Sequence, residues 1–425
     1  MIGSRRDART SLHLPVRCLG HGWVLRFGAP GVLALALALP PGNGAHAQSG
    51  EPWALPGSTV HSQYRAAASE AGEMIREMME LRGIPGLSVA VGVEGEIAWS
   101  RGFGMANVEL GVPVTPLTRF RSGSTAKPMT AALLGHLVER GELDLDAPVQ
   151  TYVPDYPRQP WDITARQLAG HLSGIRHYPP DGDEFLSTRR YTNVTDGLEI
   201  FKDDPLLFQP GTQYSYSSYA WNLLSAVIEG ATGEVFLDLM HREVFEPIGM
   251  RSTLGDHSDS IVVNRVSFYE RTGGTPSYRT RQTGWGDGTG IGSLFNAPYT
   301  DNSNKWAGGG FLTTPEDLVR FGMAHRPGAG YLPDPLLAEM HTPMRLADGS
   351  ETGYGIGWNV GRDNTTGSRT VGHGGGSVGG TTALVTYPEE GVVVAIQANL
   401  TNASYGDLAA RIARLFIQAG RQADR

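Results

Sequence analysis

Apolar or small residues recur at helical spacing through residues 59–82 (Ala67, Ala71, Met74, Ile75, Met78, Met79, Leu81) and give way to Gly83 and Pro85. That period, with its stop signals, predicts a first helix over 59–82. Gly86-Leu-Ser-Val-Ala-Val-Gly-Val follows, turns at Glu94-Gly95 and continues as Glu96-Ile-Ala-Trp-Ser. Two β-rich runs a short turn apart predict an antiparallel hairpin. From Ser124 to about Gly249 the period is helical again, over Met129–Arg140, Ala165–Leu172, Tyr219–Ala231 and Val235–Phe245. The β pattern returns in Thr381–Tyr387 and Gly391–Ala398, on either side of the turn Pro388-Glu-Glu, and a closing helix is predicted over Asp407–Ala419.

This order predicts an α/β (α+β) fold in which both ends of the chain build one antiparallel sheet flanked by helices, with a mainly helical lobe inserted. Residues 48–425 are expected to form one domain, with an α/β lobe of about 57–118 and 300–425 and a helical lobe of about 119–300. A cleft between such lobes is a favoured place for a ligand. Residues 255–305 are rich in Gly, Ser, Thr, Asp and Asn and include Gly284-Trp-Gly-Asp-Gly-Thr-Gly-Ile-Gly. They read as a long irregular connection bordering a site.

The N-terminus is a separate case. Arg5, Arg6, Arg9, Arg17 and Arg26 precede an apolar run from Gly28 to Leu39, and Ala45-His46-Ala47 supplies a small-x-small cleavage pattern. Residues 1–47 are therefore expected to be a signal peptide cleaved after Ala47, with the product periplasmic or secreted. The run is about a dozen residues, short of the roughly 20 that a spanning helix needs, so no stable membrane insertion is expected. Cys18, the single cysteine, lies before the apolar run. Without it no thiol remains, which excludes thiol catalysis, disulfides and cysteine-based zinc sites together. Removing residues 1–47 takes away five arginines and one aspartate, moving the formal charge from −8 to −12. An acidic surface disfavours nucleic acid and anionic membranes.

The sharpest chemical signal is Ser124-Thr125-Ala126-Lys127, leading into an apolar helix. A spacing of three puts both side chains on one helical face, so the amine can reach the hydroxyl. A serine hydroxyl needs a neighbour to take its proton, and a lysine can do so when burial lowers its pKa. An N-cap serine before an ordinary lysine would look the same over four residues; composition separates the two. Only Lys127, Lys202 and Lys305 are lysines, against 32 arginines. Lysine thus stands where a titratable amine is wanted, and arginine cannot give up its proton.

A second signal is Pro210-Gly-Thr-Gln-Tyr-Ser-Tyr-Ser-Ser-Tyr, just before a helix; a loop tyrosine near a lysine can pass a proton between nucleophile and leaving group. The third is Val371-Gly-His-Gly-Gly-Gly-Ser-Val-Gly-Gly, entering the β run at Thr381. Its glycines let substrate backbone lie against a strand edge, and His373 is a candidate to bind or orient a carboxylate.

In this order and at these spacings the three segments resemble the active-site serine β-lactamase and penicillin-binding superfamily, particularly its D-aminopeptidase, esterase and LACTB-type peptidase branches. Supporting stretches are Phe120-Arg-Ser-Gly-Ser-Thr-Ala-Lys, Gly141-Glu-Leu-Asp-Leu-Asp-Ala-Pro-Val, Ile163-Thr-Ala-Arg-Gln-Leu-Ala-Gly-His-Leu-Ser-Gly and Ala307-Gly-Gly-Gly-Phe-Leu-Thr-Thr-Pro-Glu-Asp-Leu, so the likeness covers roughly residues 60–420. The resemblance implies the β-lactamase/transpeptidase-like fold. It makes Ser124 an acylated nucleophile, Lys127 its partner, Tyr216 the tyrosine of the second motif and His373 the first residue of the third. Ser218, His373 and Gly375 would bind substrate, and the backbone N–H groups of Ser124 and Gly376 would form the oxyanion hole.

Two departures steer the expected activity. Tyr216-Ser217-Ser218 stands where penicillin-reactive members usually have Tyr-x-Asn, and His373-Gly-Gly where many β-lactamases have Lys-Thr-Gly. A histidine carries only part of a positive charge near neutral pH, so carboxylate binding is expected to be weaker and pH-dependent. The expected function is a serine hydrolase acting through an acyl-enzyme on a peptide, amide or ester substrate. A carboxylesterase or weak β-lactamase on the same fold is the near alternative, and an inactive binding or scaffolding protein the distant one.

Gly375-Gly-Ser377-Val-Gly379 also matches the G-x-S-x-G elbow, but a strand follows where an elbow needs a helix. No Lys-Ser/Thr follows these glycines as in a P-loop, and no H-E-x-x-H appears among the 12 histidines. The sequence therefore implies no metal and no nucleotide cofactor.

Overall fold

The computed structural model describes residues 57–179, 183–271 and 294–423. The expected signal peptide and the Gly284–Gly292 stretch lie outside the described residues. β1 (Thr59–Val60) and a 3-10 turn (Ser62–Tyr64) precede α1 (Arg65–Arg82), so the first helix begins six residues later than its period suggests. The β-branched pair Thr59-Val60 is taken by an edge pairing with Ser100 and Trp99 instead. Gly83, at φ 60, closes α1 in the left-handed conformation that glycine adopts without penalty.

β2 (Gly86–Val93) and β3 (Glu96–Asn107) form the expected hairpin. Late in the chain come β4 (Asn359–Arg362), β5 (Arg369–Ser377), β6 (Gly380–Tyr387) and β7 (Val392–Ala398), then α6 (Leu408–Ala423). Seven strands lie in one antiparallel row, β1-β3-β2-β7-β6-β5-β4, and the short strand Val112–Pro113 pairs β3 off that row. The β2–β7 pairing at its centre joins residues 86–93 to residues 392–398. The sheet is thus closed by the two ends of the chain.

Alternation along the central strands sorts side chains between two cores. Val392, Val394, Ile396 and Ala398 of β7, with Leu87, Val89 and Val91 of β2, pack with Ile75 of α1 and Ile412 and Phe416 of α6. The opposite face carries small residues, Ser88, Ala90 and Gly92, and there helix α5 (Pro315–Ala324) lies close. A Cβ added to Gly92 would stand 2.6 Å from Val319, so glycine sets the helix-to-sheet distance at that point.

The inserted segment holds α2 (Ala126–Glu139), α3 (Ala165–Ala169) and α4 (Ser218–Thr232), followed by a helical stretch over 236–248 whose middle, Met240–Phe245, is π-helical. α2 is buried continuously from Ala126 to Gly135, as a helix apolar on every side must be. A small sheet of Phe120–Arg121, Phe311–Thr313 and Leu254–Gly255 leads into it. Among the described residues of the irregular connection over 255–305, Tyr269–Arg271 pair with Leu294–Asn296, and the connection ends in buried residues Thr300–Lys305. Among the described residues no helix is long and apolar enough to cross a membrane.

β5 was not foreseen as a strand. Its glycines have low β propensity, but pairing with β6 along Val371–Ser377 imposes the extended form.

Candidate active site

Phe120 and Arg121 are held by the small sheet, Ser122 donates its N–H to Phe311 O at 2.9 Å, and Gly123 then turns the chain at φ 51. The 3-10 turn Gly123–Thr125 runs straight into α2. From Phe120 to Gly135 every residue is buried except Ser124. The fold therefore leaves this one hydroxyl accessible, at the N-terminal end of a buried helix.

Lys127 follows one turn later and is fully buried. Its Nζ lies 3.0 Å from Ser124 Oγ, 3.2 Å from Ser218 Oγ and 2.7 Å from Gly308 O. Burial pushes its pKa well below the ordinary lysine value, and among the described residues no carboxylate is paired with it to oppose that shift. A neutral amine has two N–H donors and one lone pair. The Gly308 carbonyl must receive one N–H, and Ser218 can receive the other. The lone pair is then left to accept from the Ser124 hydroxyl.

Tyr216 stands immediately before α4, whose N-cap Ser217 accepts from Ala220 N at 3.1 Å. The Tyr216 hydroxyl faces those of Ser124 and Ser218, which act on its pKa, and its ring lies 4.9 Å from Lys127 Nζ. Burial raises the phenol pKa above its usual value, so the group stays protonated at neutral pH. Ser124, Lys127, Tyr216 and Ser218 thus form one closed set of contacts. Ser218 was expected to bind substrate; the structure places its buried hydroxyl 3.2 Å from Lys127 Nζ, on the side of Tyr216.

The glycine strand meets the serine turn backbone to backbone. A Cβ on Gly375 would stand 2.1 Å from Ser122 O and 3.2 Å from Ser124 N, and one on Gly123 would stand 2.7 Å from Gly376 N. Only glycine permits that approach, which sets Gly376 N beside Ser124. The close contact at Gly375 is therefore with the protein's own chain, whereas Gly376 is exposed and a Cβ there would meet nothing within 4 Å.

His373 departs from expectation in its charge. Its Nδ1 lies 2.5 Å from Gly374 O, which can only accept, so Nδ1 donates. Nε2 then accepts from Tyr354 Oη at 2.8 Å. Burial, aided at acid pH by the charge Lys127 then carries, holds its pKa down to about 3, so the ring is uncharged at neutral pH. The half-charged carboxylate anchor expected from the sequence is corrected to a neutral ring with both nitrogens engaged.

Three further residues of the site were not foreseen. Tyr354 arrives from the segment before β4, and His171 and His177 from the loop after α3. The sequence signal available for the histidines was their recurrence in His171-Leu-Ser-Gly-Ile-Arg-His177. Lys305, a second buried lysine, has its pKa lowered to about 7 by burial; its amine donates to Phe185 O at 2.6 Å and is no part of the Ser124 set. Among the described residues no group of three or more His, Cys, Asp or Glu could hold a metal ion.

A family model described as Beta-lactamase matches residues 72–418. The human serine beta-lactamase-like protein LACTB, mitochondrial, is 30% identical over 87% of this chain and 83% of its own length. Esterase EstB of Burkholderia gladioli is 28% identical over 69% of this chain and 78% of its own. Among solved structures, the octameric penicillin-binding protein homologue from Pyrococcus abyssi shares the fold with a TM-score of 0.65 at 24% identity, covering 84% of this chain and 77% of that one. These likenesses support serine hydrolase chemistry in general. The serine and lysine one turn apart, the sheet closed by both chain ends and a match over residues 72–418 agree: the chain belongs to the beta-lactamase family.

Proposed function

We propose that this protein hydrolyses an ester, amide or peptide through a covalent acyl-enzyme on Ser124. The observation that carries the reading is the fully buried Lys127 amine, with no paired carboxylate, 3.0 Å from the one accessible hydroxyl of its segment. Neutral Lys127 takes the Ser124 proton as Oγ bonds to the substrate carbonyl carbon. The oxyanion is received by the backbone N–H groups of Ser124 and Gly376, each worth roughly 3 kcal/mol in such a site. Lys127 returns the proton through Tyr216 to the leaving oxygen or nitrogen, and the carbonyl reforms as that bond breaks. Water then repeats the sequence in reverse roles, giving the acid and free Ser124.

The neutral His373 and the absent Tyr-x-Asn amide favour acyl groups that need no fixed cation for recognition, which makes ester and amide turnover faster than β-lactam turnover. Parallel assays on a p-nitrophenyl ester, a D-amino-acid amide and a chromogenic cephalosporin test this. The cephalosporin is expected to be the poorest of the three, and preferential cephalosporin hydrolysis would overturn the substrate reading. Export with cleavage after Ala47 belongs to the same proposal, and N-terminal sequencing of protein recovered outside the cytoplasm tests it.

A further inference from the structure

We infer that His171 and His177 are positioning residues that aim Tyr216 and Ser218 at the Ser124–Lys127 pair, by holding the two backbone N–H groups that follow Tyr216. The inference rests on the proposed acyl-enzyme reaction. The first N–H groups of a helix have no partner within it and must be satisfied from outside. At the start of α4 that partner is imidazole twice over: Ser217 N donates to His171 Nδ1 at 3.1 Å and Ser218 N to His177 Nδ1 at 3.1 Å. Both Nδ1 atoms are therefore acceptors, so each ring carries its proton on Nε2 and is uncharged.

His171 brackets Tyr216 from both sides. Its carbonyl receives Ser215 N at 3.0 Å, its ring receives Ser217 N, and its ring centroid lies 4.2 Å from that of Tyr216. To do so it adopts φ 61, a left-handed conformation costly for a residue with a Cβ and kept only where the surroundings enforce it. His177 meets the Tyr216 ring edge-on at 5.5 Å, and Ser217 Oγ donates to Arg176 O at 2.7 Å. The loop 171–177 thus grips residues 215–218 at every backbone N–H that flanks the tyrosine.

The groups facing these rings keep them neutral. Around His171 are Lys127, His373, His177, Tyr214, Tyr354 and Trp221; around His177 are Lys127, Tyr216 and Tyr178. Burial is the main cause that lowers both pKa values, that of His177 to about 4, and Lys127 adds to it at the acid pH where its amine is charged. A charged ring would turn an acceptor into a donor facing an N–H, and the grip would open.

Asparagine and glutamine separate this role from simple packing, because Asn carries its oxygen near the position of imidazole Nδ1 and Gln near that of Nε2. The experiment compares wild type with His177→Asn, His177→Gln, His171→Asn and His171→Gln in ester turnover, with folding followed by thermal unfolding. Wild type is first tested for acylation by a fluorophosphonate; failure there would remove the underlying reaction and is distinct from failure of the inference. Each Asn variant is expected to keep kcat within about tenfold of wild type, the factor associated with one altered hydrogen bond. Each Gln variant should lose about 10²-fold in kcat with KM little changed, as a misplacement of ~1 Å does. In a Tyr216→Phe background the Gln substitution should cost clearly less than in wild type, because one of its two targets is already gone. Equal losses for Asn and Gln, or a full further loss in the Tyr216→Phe background, would overturn the inference.

Discussion

Lys127 concentrates the chemistry at the scale of single residues, since its environment decides its charge. Its pKa is lowered, and the base form is the one that accepts from Ser124. Turnover should therefore rise with pH through that depressed pKa and be lost on the acid side, where the amine is charged; a kcat/KM profile reads this limb. Lys127→Arg keeps the positive charge but cannot deprotonate. It should lower kcat by at least about 10³-fold, the upper part of the range that proton-transfer groups contribute, and substantial activity in that variant would dismiss lysine as the base. Ser124 and Lys127 could be read from sequence because their spacing is local to one helix. The neutral state of His373 could not, because it depends on Tyr354 and on burial supplied by distant elements.

Among elements, the Gly-rich strand β5 carries the most specific consequence. Read alone, its glycines look like a loop, and the hairpin partner β6 makes them a strand. Two adjacent positions should then behave oppositely. Gly375→Ala drives a Cβ to 2.1 Å from Ser122 O, so the strand and serine turn must part. Overpacking of this kind costs about 1–3 kcal/mol, and it should lower both Tm and acylation rate. Gly376→Ala meets nothing within 4 Å and should leave the unfolding temperature within about 2 °C of wild type, as an uncrowded surface change does. Thermal unfolding of the two variants side by side checks this, and equal destabilisation would contradict the packing described. The β2–β3 hairpin, α2 and α4 were legible from period and turn residues, whereas the start of α1 was displaced by a strand pairing that no local pattern encodes.

For the whole molecule, burial of neutral histidines ties stability to pH. His325, His341 and His373 are buried, and burial holds their pKa values at about 4, 3 and 3. The unfolded chain, with histidine near 6.5, binds more protons than the folded one between those values and 6.5. Stability is thus fully present above pH 6.5 and declines as pH falls through that window. The slope is on the order of 1.4 kcal/mol per pH unit for each such histidine. Urea midpoints measured from pH 7 to pH 4 should fall steadily, and a flat profile would contradict the neutral, buried assignment.

The sheet that sets these groups around Ser124 is closed by β2 and β7, from opposite ends of the chain, so the site exists only in the complete fold. Its central claim is a nucleophile at Ser124. Intact-protein mass after exposure to a fluorophosphonate tests this most directly, with Ser124→Ala as the companion. One covalent adduct on wild type and none on a folded Ser124→Ala protein is the predicted result. An adduct on both would place the nucleophile elsewhere, and none on well-folded wild type would leave a binding or scaffolding protein on this fold.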